Sequence, residues 1–206
     1  MSPPTDSGPV PDVRGFQMRL DLRGTKPPVW RGLELAGDLT LSQVHEVIQA
    51  AMGWTDSHLH RFRTGRDHQS TYFVTTLDIE EGEDGVREDA TRLDQLVATE
   101  GDRLWYQYDF GDDWDHVLTV EKVLDDPAAP ARSTGGQGAC PPEDCGGIGN
   151  FEQLATWARS GYDEALLPEV FDDADEAHDW LPQGWQPGQL DLERVKAAVS
   201  VVVANW

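Results

Sequence analysis

The chain is poor in basic residues and in cysteine. Its 206 residues hold 16 Lys and Arg against 38 Asp and Glu, a formal net charge of −22. Non-specific nucleic-acid binding runs on lysine and arginine, so this balance counts against a general DNA or RNA binder. It leaves a basic protein as the partner class that an acidic face would suit. The two cysteines, Cys140 and Cys145, are too few for a disulfide framework and read as thiols or metal ligands. No apolar run approaches the roughly 20 residues that span a bilayer. The start, Met1-Ser-Pro-Pro-Thr-Asp6, lacks the basic and apolar regions of a secretory signal, so a cytoplasmic location is expected. There is no internal repeat, and no GK[ST] follows the glycines at 146–149 to make a phosphate loop.

What the chain does hold is enough for a core. It is 38% hydrophobic, with eight Trp, and its length fits one domain. Residues 1–12, rich in Pro, Ser and Gly, read as a disordered tail before a domain over 13–206. Phe16, Met18, Leu20 and Leu22 alternate with polar residues as a strand, and Val29 to Leu35 returns as its partner. Thr40 with Gln43 forms a capping-box pattern, Leu41, Val44, Val47, Ile48 and Ala51 share one helical face, and Gly53 ends that helix. His45 lies off the stripe and is expected in solvent. Residues 58–63 read as extended, with His58, His60 and Phe62 on one face. A turn over 65–68, a strand over 70–77, an exposed acidic loop from 78 and a short helix at 93–97 follow. Residues 125–131 read as a linker and 133–139 as a glycine-rich loop. Asn150 is expected to cap a helix with Phe151, Leu154, Trp157 and Ala158 on one face, and Asp191 to start the last helix. The expectation is an α+β domain, a mostly antiparallel sheet with helices packed against it.

The chain is organised around Leu104 to Glu121. Leu104, Tyr106, Tyr108 and Phe110 alternate as a strand, Gly111-Asp-Asp113 is turn chemistry, and a second strand runs from His116. A loop over 111–114 would set Asp109 opposite His116 and Phe110 opposite Asp115, about 5 Å apart at Cβ. The candidate binding residues are Asp109, Asp112, Asp113, His116, Trp114 and Trp54. The candidate metal ligands are His58, His60, His116, Cys140 and Cys145, with Glu143 and Asp144 beside them.

Four segments carry a resemblance: Lys26-Pro-Pro-Val-Trp-Arg31, His45 to Phe62, Tyr108-Asp-Phe-Gly-Asp-Asp-Trp-Asp-His116 and Cys140-Pro-Pro-Glu-Asp-Cys-Gly-Gly147. In this order they resemble the plasmid pRiA4b ORF-3-like family over nearly the whole chain. The resemblance implies an α+β fold found in bacteria and archaea, often near mobile elements, with no established activity. Some relatives carry the label of a transposon-resolvase passenger. A serine resolvase needs a nucleophilic serine among arginines and a basic helix pair, and this chain shows neither.

Three functions fit these residues. The preferred one is a binding module that recognises a basic partner through its acidic face. The alternative is a zinc-type hydrolase using His58, His60, His116 and Asp109, with Cys140 and Cys145 as a possible thiolate pair. The third is metal-free catalysis, with Asp109 orienting His116 as the base for a cysteine nucleophile.

Overall fold

The alternation of Phe16, Met18, Leu20 and Leu22 with Gln17, Arg19 and Asp21 fixes which side of the first strand turns inward. In the structure, a computed structural model describing residues 14–66 and 69–206, the first set is buried and the second lies half-buried at the surface. The expected tail and part of the turn over 65–68 fall outside the described residues. This strand, β1 (Gly15–Leu22), pairs antiparallel with β2 (Val29–Ala36) as the periodicity predicts. Helix α1 (Leu41–Met52) carries the capping box at Thr40 and Gln43, and Gly53 ends it at a φ of 86°. Its stripe packs into the core on the sheet's inner face.

The other strands are β3 (His60–Arg63), β4 (Tyr72–Val74), β5 (Val86–Arg87), β6 (Arg103–Tyr108), β7 (Trp114–Leu124) and β8 (Ala131–Gln137). They form one eight-stranded sheet in the order β5-β4-β3-β6-β7-β1-β2-β8. Among the described residues only the short β4–β5 pair is parallel. Helices α2 (Thr76–Glu80), α3 (Gly147–Arg159), α4 (Ala174–Trp180) and α5 (Leu192–Ala204) complete a single α+β domain. Met18, Leu20, Leu104 and Tyr106 of the sheet share the core with Val44 and Ile48 of α1 and with Phe151 and Trp157 of α3. The opposite face is polar and carries the pairs Arg19–Asp21, Arg23–Asp115 and Arg63–Asp115. These pairs are half-buried at the surface, and surface pairs add about 1 kcal/mol or less.

Several boundaries differ from expectation, each for a local reason. Residues 131–137 are a strand rather than linker and loop, because β8 pairs the edge of β2 that would otherwise stay open. Gly136 permits that approach: a Cβ there would lie 2.7 Å from Leu190 Cδ2 and 2.9 Å from the Trp30 carbonyl oxygen. The strand expected over 70–77 shortens to Tyr72–Val74, since Thr75 and Asp78 bond reciprocally to cap α2. Helix α3 begins at Gly147, so Asn150 sits inside it rather than at its cap. His45 is buried, not solvated.

Candidate functional site

The hairpin register decides which of the nominated residues can meet. Buried residues of β6 (Leu104, Tyr106, Tyr108) and of β7 (Trp114, His116, Leu118) must face the same side. That parity pairs Tyr106 with His116 and Tyr108 with Trp114, and the connection runs over residues 109–113. Asp109 therefore does not oppose His116, which corrects the expected pairing. His116 is 0% exposed. Its Nδ1 lies 3.0 Å from the Trp114 carbonyl oxygen, so Nδ1–H donates and Nε2 has no hydrogen-bond partner among the described residues. Burial pushes its pKa down to about 4, with Arg31 acting in the same sense. His116 is a buried imidazole, held neutral by its surroundings and packed against Trp54 and Tyr106.

His58, just before β3, meets two carboxylates at the hairpin end. Its Nε2 is 3.2 Å from Asp144 Oδ1 and 3.8 Å from Asp109 Oδ2. Despite that proximity Nε2 makes no hydrogen bond to a described residue. The three ligand atoms lie within 4.8 Å of one another. Asp109 takes the left-handed backbone at a φ of 54°, and its Oδ1 accepts from the N–H groups of Gly111 and Asp112. This turn fixes the carboxylate and leaves Oδ2 to His58. Asp144, at a φ of 59°, is the exposed member at 73%.

The 139–147 loop is fastened around this group. Glu143 accepts from the Tyr108 hydroxyl at 2.7 Å through one oxygen and from the Thr55 hydroxyl at 2.6 Å through the other. Burial first, then the Glu143 carboxylate, holds the Tyr108 phenol protonated well above its usual range. Trp54 stacks on Tyr108 at 4.8 Å and donates its indole N–H to the Pro141 carbonyl. Asp112 accepts from the Gly146 N–H at 3.0 Å. Asp113, on the outer side, accepts from Gln107. A Cβ on Gly147, whose φ is 77°, would sit 2.7 Å from the Asp112 carbonyl oxygen. Gly147→Ala should therefore prise the loop from the hairpin and cost about 1–3 kcal/mol of stability. A denaturant midpoint equal to wild type would refute that coupling.

Cys140 and Cys145 are free thiols outside this group. Burial pushes both thiols up, Cys145 to about 12. Buried, protonated thiols are poor nucleophiles. Among the described residues no cysteine joins a cluster able to share an ion.

His60 parts from His58 and joins His45, Asp56 and Glu88. The His45 and His60 rings stack at 3.5 Å with planes 7° apart. His45 Nδ1 meets the Tyr106 hydroxyl at 2.9 Å and Nε2 meets Asp56 at 2.9 Å, while His60 Nε2 meets Glu88 at 2.9 Å. Gln49 also donates to the Tyr106 hydroxyl. Burial, then His60, lowers the His45 pKa to about 2. These atoms are close enough for an ion, but parallel rings hold their lone pairs side by side rather than aimed at one point. Each ring also has a hydrogen-bond partner, so the group is a buried polar network. Sequence reasoning missed it. The available signal was His45 and Gln49 one helical turn apart beside the apolar stripe.

The profile of the plasmid pRiA4b ORF-3-like proteins matches residues 14–194. The chain belongs to that family. This pRiA4b ORF-3-like protein is 32% identical over 200 residues to the uncharacterized protein y4hQ of Sinorhizobium fredii, covering 92% of this chain and 93% of that one. It is also similar to the crystal structure of MM3350, a protein of unknown function from Methanosarcina mazei Go1. That similarity has a TM-score of 0.71 at 25% identity, over 88% of this chain and 96% of the other. These relatives support the α+β fold and bring no activity with them. No described helix is long and apolar enough to cross a membrane.

Proposed function

We propose that this protein is a metal-dependent binding module, with one divalent transition-metal ion held by His58, Asp109 and Asp144. The observation that carries the reading is the unbonded His58 Nε2, with carboxylate oxygens 3.2 and 3.8 Å away. Ligands about 2.0–2.2 Å from one tetrahedral ion stand roughly 3.3–3.6 Å apart, so small side-chain adjustments seat a metal there. One imidazole and two carboxylates suit zinc, manganese or iron. Exposure of Asp144 leaves one side of the ion open to a donor from outside. The surrounding Asp112, Asp113 and Glu143 form no ion pair with Lys or Arg among the described residues. An acidic rim of this kind favours a basic protein partner. Three protein ligands with an open position also suit a water-activating ion, and this favours a metal-dependent hydrolase as the second reading.

The test is elemental analysis of untagged protein, followed by cobalt(II) titration read by visible absorption. Wild type is expected to take up one equivalent, with His58→Ala and Asp109→Asn weakening affinity by about tenfold or more. His60→Ala should retain the site. No stoichiometric uptake of zinc, manganese or cobalt, or full affinity in His58→Ala, overturns the reading. Chelator-sensitive turnover of p-nitrophenyl esters or phosphates would select the hydrolase over the binding module.

A further inference from the structure

Arg31 occupies a position where the pattern of β2 calls for an apolar residue, between the inward-facing Val29 and Leu33. It is 1% exposed. Its Nε donates to the Ala51 carbonyl at 2.8 Å, at the C-terminal end of α1. Nη1 faces the carbonyls of Trp30, Gln137 and Gly138 at 2.8, 3.2 and 3.0 Å. Carbonyl dipoles and a helix C-terminus partly balance the cation. No carboxylate among the described residues pairs with it, although acidic residues outnumber basic ones 38 to 16. Nη2 makes no hydrogen bond to a described residue. A buried cation without a counter-charge is costly, and a single anion completes it.

The place for that anion is open. Arg31 lines a cleft of about 790 Å³, together with Trp54, Trp180, Trp185, Cys140 and Arg194. The indole N–H groups of Trp54 and Trp185 already donate to the Pro141 and Cys140 carbonyls, so these rings offer a ligand apolar surface. Arg194 lies exposed at the cleft and forms no ion pair with a described residue. Glu143 and Asp191 also border the cleft, but both are engaged elsewhere. Glu143 holds Tyr108 and Thr55, and Asp191 caps α5. The volume is that of a small-molecule site.

We propose that this cleft binds a small organic anion, its carboxylate or phosphate oxygen on Arg31 Nη2 and its flat apolar body among the indoles. The site is independent of the metal reading. Wild type is titrated with benzoate, phenyl phosphate and neutral benzamide, read by tryptophan fluorescence and calorimetry. At least one aromatic anion is expected to saturate, about tenfold or more tighter than benzamide. A preference between benzoate and phenyl phosphate identifies the head group. Arg31→Gln should lose about tenfold in affinity. Arg194→Gln, an exposed change that leaves the fold intact, should lose severalfold with an unchanged Tm. Equal binding of benzamide, unaltered affinity in both variants, or no saturation by any probe overturns the proposal. If Arg31→Gln fails to fold, the wild-type comparison and Arg194→Gln decide it.

Discussion

Trp114→Ala is expected to lower the free energy of unfolding by about 3–5 kcal/mol, the range for deleting a buried aromatic side chain. Trp114 is 1% exposed and is among the largest fully buried side chains. It opens β7 directly after the hairpin connection, opposite Tyr108. Its ring lies 6.2 Å from Trp54 and 6.5 Å, edge to face, from Phe151 of α3. One side chain thus ties the hairpin end, the segment leading to His58 and the helix that follows the cysteine loop. The void left by alanine touches three elements, so collapse of any one cannot refill it. A domain of ordinary stability, about 5–15 kcal/mol, would lose roughly a fifth or more. Urea melts followed by far-UV circular dichroism measure the effect. Trp114→Phe should recover most of it, and a loss under about 1 kcal/mol in the alanine variant would show that the ring is not a packing centre.

Much of this arrangement can be read from the residues, and what cannot has identifiable causes. The capping box at Thr40, the glycine stop at Gly53 and the alternation in β1 are local signals, and each appears in the structure. The hairpin parity was also legible. The apolar set of the second strand is Trp114, Leu118 and Val120, which demands pairing with Tyr108 and Tyr106 and forbids setting Asp109 against His116. Turn composition alone points to 111–114, whereas burial moves the connection to 109–113. Strand β8 left no apolar trace, because Thr134, Gly135 and Gly136 owe their extended form to the open edge of β2. Of the candidate site, His58, Asp109 and Asp144 were all nominated on residue type. Their convergence depends on three segments brought together by Glu143 and Asp112, which no spacing encodes. His60 stands two residues from His58 on the same face, yet β3 carries it inward to His45 and Glu88. Arg31 stood out only within the Lys26–Arg31 segment that carries the family resemblance. Its interior position follows from the parity of β2.

Acidification should destabilise the protein steeply, against the trend its net charge suggests. At neutral pH the chain carries −22, and its pI is about 4.3. Lowering the pH toward 4 discharges carboxylates and relieves self-repulsion, which by itself favours the folded state. His116 acts the other way. Burial is the main cause of its depression to about 4, assisted by the Arg31 charge and opposed by Asp115 and the Trp114 carbonyl. The unfolded chain takes a proton on this histidine near pH 6.5, while the folded chain resists until about pH 4. Stability from this group is therefore complete above about pH 6.5 and is lost as the pH falls to about 4, amounting to roughly 3 kcal/mol. His45, depressed to about 2 by burial and by His60, adds a slope of the same sign over the same window. Urea melts at pH 8, 6.5, 5.5 and 4.5 should show a midpoint that declines throughout the lower range. His116→Leu should start lower at pH 8, because the Trp114 carbonyl loses its donor, and then decline less steeply between pH 6.5 and 4.5. A midpoint that holds or rises toward pH 4.5 in wild type would mean that charge relief outweighs the buried imidazoles. A His116→Leu slope equal to wild type would place the acid sensitivity with His45 and its carboxylate partners instead.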